Sequence, residues 1–194
     1  MPSHPDRIDA VAEALAATPR GDFLPAAERP FSAMDAPLDI GFGQTNSQPT
    51  TVRNMLQLLD VRPGQRVLDV GSGSGWTTAL LARLVGESGR VIGVERIAAL
   101  AERAGAALAE RDLAWAEIRM ARRGVLGWPE DAPFDRILVS AMATRFPEVL
   151  ADQLGAGGVL VVPVSGVMVR ARRRGDDLDV TRHGWYTFVP LVED

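Results

Sequence analysis

Val67-Leu68-Asp69-Val70-Gly71-Ser72-Gly73-Ser74-Gly75 reads as a buried strand that empties into a glycine-rich turn. Three apolar residues surround one acid, and glycine then recurs at every second position. Trp76-Thr77-Thr78-Ala79-Leu80-Leu81-Ala82 continues with helical spacing. Strand, tight turn and helix in that order form the ligand cradle of an open parallel sheet, with the ligand outside the strand's carboxyl end.

The glycine spacing narrows the ligand. A dinucleotide fingerprint runs Gly-x-Gly-x-x-Gly, and its third glycine lets the helix pack closely on the sheet. Here Trp76 holds that place, which argues against a pyrophosphate on the helix N-terminus. A P-loop needs Gly-Lys-Ser/Thr, and all 21 basic residues of this chain are arginines. Arg90-Val91-Ile92-Gly93-Val94-Glu95 reads as the next strand, with Glu95 at its end, 20 residues after Gly75. An acid there accepts hydrogen bonds from ribose hydroxyls. Asp69 before the turn, the short glycine spacing and Glu95 suit S-adenosylmethionine better than a nicotinamide dinucleotide. The cofactor residues expected from this stretch are Asp69, Gly71, Ser72, Gly73, Gly75 and Glu95. A bare strand–turn–helix without ligand is the alternative, disfavoured by the acid on the second strand.

Composition bounds the chemistry. The chain has 194 residues, 46% of them hydrophobic, and a net charge of −4. That length predicts one domain, with residues 1–60 supplying helices and a substrate loop and residues 61–194 the cofactor-binding sheet. The acidic balance gives no field for a nucleic acid. There is no cysteine, and His4 and His183 are the only histidines, so disulfides, thiol chemistry and a zinc site are not expected. Without lysine, Schiff-base chemistry is excluded as well. No signal-peptide core and no membrane-length apolar run is present. The expectation is a soluble, cytoplasmic monomer whose reaction needs little acid–base help.

Along the chain, residues 6–17 show a helical stripe of Ile8, Val11 and Leu15, and residues 50–59 a second one. Between them residues 19–49 are loop-rich, with prolines at 19, 25, 30, 37 and 49. From residue 66 onward strands are predicted at 66–70, 90–94, 115–119, 135–139 and 158–163, and helices at 76–85, 97–110 and 147–153. That alternation implies an α/β, Rossmann-like, mostly parallel sheet with helices on both faces. Residues 167–173 and 178–192, around Gly175-Asp176-Asp177, predict an antiparallel hairpin closing the sheet edge. Arg170, Arg172, Arg173 and Arg174 are placed at its tip, either as a solvated edge that discourages strand pairing or as a binding patch.

The loop Ile40-Gly41-Phe42-Gly43-Gln44-Thr45-Asn46-Ser47-Gln48-Pro49 joins two glycines to a run of hydrogen-bonding side chains just before a helix. Ser47 is placed to cap that helix or to serve a site. This loop resembles the Gly-Gln-Thr-Ile-Ser-Gln-Pro signature of the protein-L-isoaspartate O-methyltransferases. The resemblance extends over nearly the whole chain. It takes in Phe23-Leu24-Pro25, Pro37-Leu38-Asp39-Ile40-Gly41, Val67 to Gly75, Val94-Glu95-Arg96-Ile97, Ala132 to Ile137, Gln153-Leu154 with Gly157-Gly158, Val162-Pro163-Val164 and Phe188-Val189-Pro190-Leu191-Val192. It implies methyl transfer from S-adenosylmethionine to the α-carboxylate of isoaspartyl residues in damaged proteins or peptides. The ester then collapses to a succinimide, which reopens partly to aspartate. A carboxylate with a reference pKa near ~4 is already ionised at neutral pH, in keeping with the sparse acid–base equipment. The resemblance assigns catalysis to Ser47, whose hydroxyl would orient the acceptor, with Gln44, Thr45 and Ala141 at the substrate and no metal.

The chain departs from the family pattern at four places. Arg122-Arg123-Gly124 stands where the family has Gly-Asp-Gly, whose aspartate approaches the adenine. Arginine carries only donors, so another acceptor is needed there. Arg123 is placed at the cofactor, and the pair is open to an acidic acceptor or to solvent. Asn46 replaces an apolar residue and is expected to make the acceptor pocket more polar. Asp69 replaces glutamate and Trp76 tyrosine. Three other readings stay open: methylation of an aspartate in one dedicated peptide, a cofactor-binding module without catalysis, and a tRNA base methyltransferase, the last disfavoured by charge and by the Gln44–Pro49 loop.

Overall fold

The computed structural model describes residues 5–192; His4 lies outside the described residues, as does the side chain of Ile8. Helix α1 spans Pro5–Ala17, and two short 3-10 turns follow at Arg20–Phe23 and Arg29–Phe31. A small antiparallel hairpin then forms from β1 (Leu38–Gly41) and β2 (Gln44–Asn46). The loop-rich composition of residues 19–49 conceals this hairpin, whose turn needs positive φ at Gly41, Phe42 and Gly43. Helix α2 (Pro49–Leu59) buries Val52, Met55, Leu56 and Leu59 along one stripe.

The main sheet has seven strands. The parallel part is β3 (Arg66–Val70), β4 (Arg90–Glu95), β5 (Ala116–Met120), β6 (Phe134–Val139) and β7 (Leu154–Val164), joined through α3 (Trp76–Val85), α4 (Ala98–Ala109) and α5 (Glu148–Ala151). β8 (Val167–Arg174) and β9 (Asp177–Trp185) complete it in antiparallel fashion, giving the order β5-β4-β3-β6-β7-β8-β9. Val67, Leu68 and Val70 of β3 and Ile137, Leu138 and Val139 of β6 are buried on both faces, the burial expected of a helix-covered parallel sheet. One core lies under α1, α2 and α3, and a second lies on the opposite face around Phe134, Ile137, Leu150 and Leu160. Among the described residues no helix is long and apolar enough to cross a membrane.

Beyond shifts of a residue at element ends, three features differ from the sequence reading. α5 ends at Ala151 and β7 begins at Leu154, because Leu154 pairs with Phe134 before Gly155, Gly157 and Gly158 let the strand shift register. The last strand stops at Trp185 instead of running to residue 192. Beyond it the chain leaves the sheet and returns to the segment after β6, where the amide of Met142 donates to the Val189 carbonyl at 2.7 Å and the amide of Leu191 to the Met142 carbonyl at 2.8 Å. The arginine run belongs to β8, an inner strand, not to a free edge. Arg170 donates to the Leu58 carbonyl at the end of α2, and Arg173 to the Ala151 carbonyl of α5.

Candidate active site

Strand β3 has β4 on one side and β6 on the other, so the helices that follow them depart to opposite faces and a crevice opens at the carboxyl ends. A cavity of about 350 Å³ fills it. Gly71 and Gly73 follow β3, Glu95 ends β4, and Met120 to Gly127 supply the wall beyond β5. Ser140 and Ala141 follow β6, Gln44 and Thr45 come from the small hairpin, and Val189 to Val192 close the remaining side. Gly71 has φ +77° and a Cβ there would be 3.8 Å from Ala141, so the turn keeps its backbone bare toward the cavity.

Glu95 is 5% exposed. Its two oxygens accept the amides of Gly73 and Ile97, each at 2.9 Å, which brace the glycine turn against the start of α4. A carboxylate offers about four lone-pair sites, so two remain for hydroxyls in the cavity. Arg123 lines the same cavity. Arg122 also borders it, but it lies over the Trp128 ring, 4.2 Å from the centroid, and pairs with Glu130. Of the pair left open between an acidic acceptor and solvent, Arg122 is engaged by Trp128 and Glu130, while Arg123 lines the cavity.

Asp69, Ser72 and Gly75 do not line the cavity; they support it from beneath. Asp69 is fully buried and accepts the Thr78 hydroxyl at 2.7 Å, while its other oxygen has no partner among the described residues. Burial pushes its carboxyl up to about 7, with the Thr78 bond acting in the opposite direction and the charge of Glu95 adding to the rise. The amide of Ser72 donates to the Val94 carbonyl at 3.1 Å, tying the turn to β4. Gly75 begins α3 with φ +84°, and a Cβ there would stand 3.0 Å from the Cβ of Ala104 and 3.3 Å from its backbone. Gly75 thus lets the start of α3 approach α4 closely, a contact between helices and not the helix-on-sheet contact of the dinucleotide pattern.

A second cavity of about 370 Å³ adjoins the first. Ser47 lines it, together with Thr50, Thr51 and Asn54 of α2 and Trp185 to Val189. The Tyr186 hydroxyl accepts from the Asn54 amide at 3.2 Å. The lining is rich in hydroxyls and, among the described residues, carries no charged side chain. Thr45, Ser140 and Val189 belong to both cavities. Gln44 and Ala141, expected at the acceptor, face the first cavity only, and Thr45 is the shared one. Asn54, Trp185 and Tyr186 escaped the sequence reading, because chain segments over 130 residues apart meet here with no local pattern to announce it.

One expectation for the hairpin is corrected, and one alternative for the residue after it is closed. Asn46 does not make the acceptor pocket more polar: it points away from both cavities and is 5% exposed. Its side-chain oxygen accepts Arg20 Nε at 2.6 Å, its amide donates to Ser74 Oγ at 2.8 Å, and its carbonyl accepts an Arg20 Nη at 2.9 Å. Arg20, equally buried, also donates to the carbonyls of Met34 and Ala36. It lies 5.7 Å from the Trp76 ring centroid, and the Trp76 indole donates to the Thr18 carbonyl at 2.9 Å. The Arg20 pKa is lowered by burial, opposed by the charge of Asp35. Second, Ser47 does not cap α2. Asp35 does so from outside the helix, accepting the Thr50 amide at 2.9 Å and the Thr50 hydroxyl at 2.8 Å, and these bonds, the amide first, hold its carboxyl below the usual range. Ser47 is left with its side chain in the second cavity.

With this geometry in hand, known proteins are informative. The family model described as protein-L-isoaspartate(D-aspartate) O-methyltransferase matches residues 6–194. A protein-L-isoaspartate O-methyltransferase 2 of Nitrosococcus oceani is 42% identical over 187 residues, covering 94% of this chain and 84% of that protein. A protein-L-isoaspartate O-methyltransferase of Methylorubrum populi is 44% identical over 191 residues, covering 96% and 88%. A solved structure called protein-L-isoaspartate O-methyltransferase superposes with a TM-score of 0.86 at 26% identity, over 95% of this chain, which spans 61% of that one. One from Plasmodium falciparum, described as a putative protein-L-isoaspartate O-methyltransferase in complex with S-adenosyl-L-homocysteine, gives 0.81 at 26% identity, covering 96% and 91%.

Proposed function

Because the chain belongs to the protein-L-isoaspartate(D-aspartate) O-methyltransferase family, we propose that it transfers a methyl group from S-adenosylmethionine to the α-carboxylate of isoaspartyl residues in proteins or peptides. The observation that carries this reading is the pair of cavities meeting at Thr45, Ser140 and Val189. One has a bare glycine turn and a carboxylate with spare acceptor sites, the other neutral donors only.

The first cavity fits the cofactor. Glu95 would take the ribose hydroxyls, and Gly71 and Gly73 would let the ligand lie on the backbone. Val125, Leu126 and Leu191 supply apolar surface, and Arg123 sits among the lining residues. Asp69, Ser72 and Gly75 hold that turn in place. Bound S-adenosylmethionine supplies an already activated methyl group. In the second cavity Ser47 would donate its hydroxyl to one oxygen of the acceptor carboxylate and turn the other toward the shared wall. No cation among the described residues lines this cavity, so the carboxylate would be oriented without an ion pair that would draw off its electron density. Enclosure by Val189 and Phe188 limits water at the reacting atoms. In-line positioning then supplies most of the catalysis.

The reading takes residues 1–194 as one methyltransferase domain. It also takes the protein as a cytoplasmic monomer acting on damaged proteins or peptides, without nucleic acid or membrane; the acidic charge supports the exclusion of nucleic acid. The test is transfer of labelled methyl to matched peptides with isoaspartate or aspartate at one position. Base-labile label on the isoaspartyl peptide alone is expected. Label on the aspartyl peptide alone, or on neither with S-adenosylhomocysteine bound, overturns the proposal.

A further inference from the structure

Trp185 is 82% exposed, the most exposed of the large hydrophobic side chains among the described residues, and it sits on the rim of the second cavity. The backbone puts it there. β9 pairs Arg182 with Val169 and Trp185 with Val167, so two residues of β9 stand opposite the single Met168. The extra residue makes a bulge, and Gly184 takes φ +66° within it. A bulge re-aims the side chains that follow it. Here it sends Trp185 to the rim and Tyr186 inward, where the hydroxyl meets Asn54. The indole rests on the turn between β8 and its neighbour: a Cβ at Gly166 would stand 3.4 Å from the ring. The ring is therefore seated on backbone, with most of its surface left open beside the cavity mouth.

A peptide whose acceptor carboxylate enters the cavity must lay its neighbouring residues across that mouth. The geometry points to Trp185 as a specificity-determining residue that receives the aromatic or branched apolar side chain next to the acceptor residue. The inference rests on the second cavity being the acceptor site. An indole has only two side-chain torsions to fix on contact and offers a broad apolar face, so acceptors flanked by such residues are favoured over those flanked by glycine.

The test compares kcat/KM for isoaspartyl peptides that carry phenylalanine, leucine or glycine immediately before or after the acceptor. In the unaltered protein one of the two positions should show a phenylalanine-to-glycine ratio of about five to ten. Trp185→Ala should bring that ratio close to one, with the change in KM, and Trp185→Phe should restore most of it. S-adenosylhomocysteine binding to each variant reports folding separately. Equal loss on all peptides, an unchanged ratio, or an effect of Trp185→Ala on oligomeric state alone overturns the inference. Absence of methylation of every isoaspartyl peptide by the unaltered protein refutes the proposed function instead.

Discussion

Arg20 and Asn46 form a buried hydrogen bond of 2.6 Å that joins the first 3-10 turn to the small hairpin, and its strength is measurable by a double-mutant cycle. Asn46→Leu keeps the volume but takes the acceptor from a buried guanidinium. A bond to a charged group contributes about 1.5–3 kcal/mol. The lost bond to Ser74 adds about 1 kcal/mol, for a total near ~3 kcal/mol. At about 2–4 °C per kcal/mol for a chain of this size, Tm should fall by roughly 6–12 °C. Arg20→Met should cost at least as much, since it also strips donors from the carbonyls of Met34, Ala36 and Asn46. In the double variant neither partner of the 2.6 Å bond is left unpaired. Its loss should therefore be smaller than the sum of the single losses by about 1.5–3 kcal/mol. Urea unfolding of the four proteins at constant pH is the assay. Losses that add to within about 0.5 kcal/mol would refute the idea that Asn46 is held by Arg20.

Three further outcomes are expected. Ser47→Ala should lower kcat about tenfold to a hundredfold, the loss of one hydrogen bond to a charged group, while S-adenosylhomocysteine affinity, read by calorimetry, stays the same; a parallel loss of both would remove Ser47 from the proposed acceptor site. Gly75→Ala should destabilise by about 2–4 kcal/mol through the left-handed backbone and the clash with Ala104, and adding Ala104→Gly should recover part of this in thermal unfolding, whereas no recovery would locate the strain elsewhere. Asp69 titrates near about 7 when folded, above its ordinary 3.8, so the native state holds the extra proton. Its contribution to stability is complete below about 4 and fades as pH rises to about 7, by up to ~1.4 kcal/mol per unit. Asp69→Asn should remove that decline, read as the difference between the two proteins because Asp35 and Asp131, with lowered pKa values, act with the opposite sign. Parallel stability curves would contradict the assignment.

The parallel half of the fold was legible because its signals are local. Val67 to Val70 is a buried run, Gly71, Gly73 and Gly75 force a turn, and Glu95 ends the next strand. Two walls of the first cavity follow from that order. Within the hairpin the same reading went astray at Asn46. An amide beside Ser47 suggests a polar pocket, yet strand alternation sends Thr45 toward the cavities and Asn46 inward, and its partner Arg20 lies 26 residues away. Ser47 posed the opposite difficulty: its spacing suits a cap, but Asp35 already satisfies the start of α2 from a distance. The aromatic pair Trp185-Tyr186 reads as ordinary strand sequence, because a bulge is a property of two strands and only one of them is visible in any local stretch.

Among the described residues the cavity proposed for the acceptor takes a single one, Ser140, from the parallel strands and the segments directly after them; its other walls come from residues 37–54 and 185–189. Substitutions at positions that face this cavity alone, such as Thr50, Thr51, Asn54 and Trp185, would therefore reshape what is methylated and leave Glu95 alone, whereas Thr45 and Val189 wall both cavities and Asn46 bonds to Ser74 of the glycine turn. The choice of client is thus separable from the methyl donor only at the start of α2 and in the segment from Trp185 to Phe188, and an engineer would exchange those and keep the hairpin.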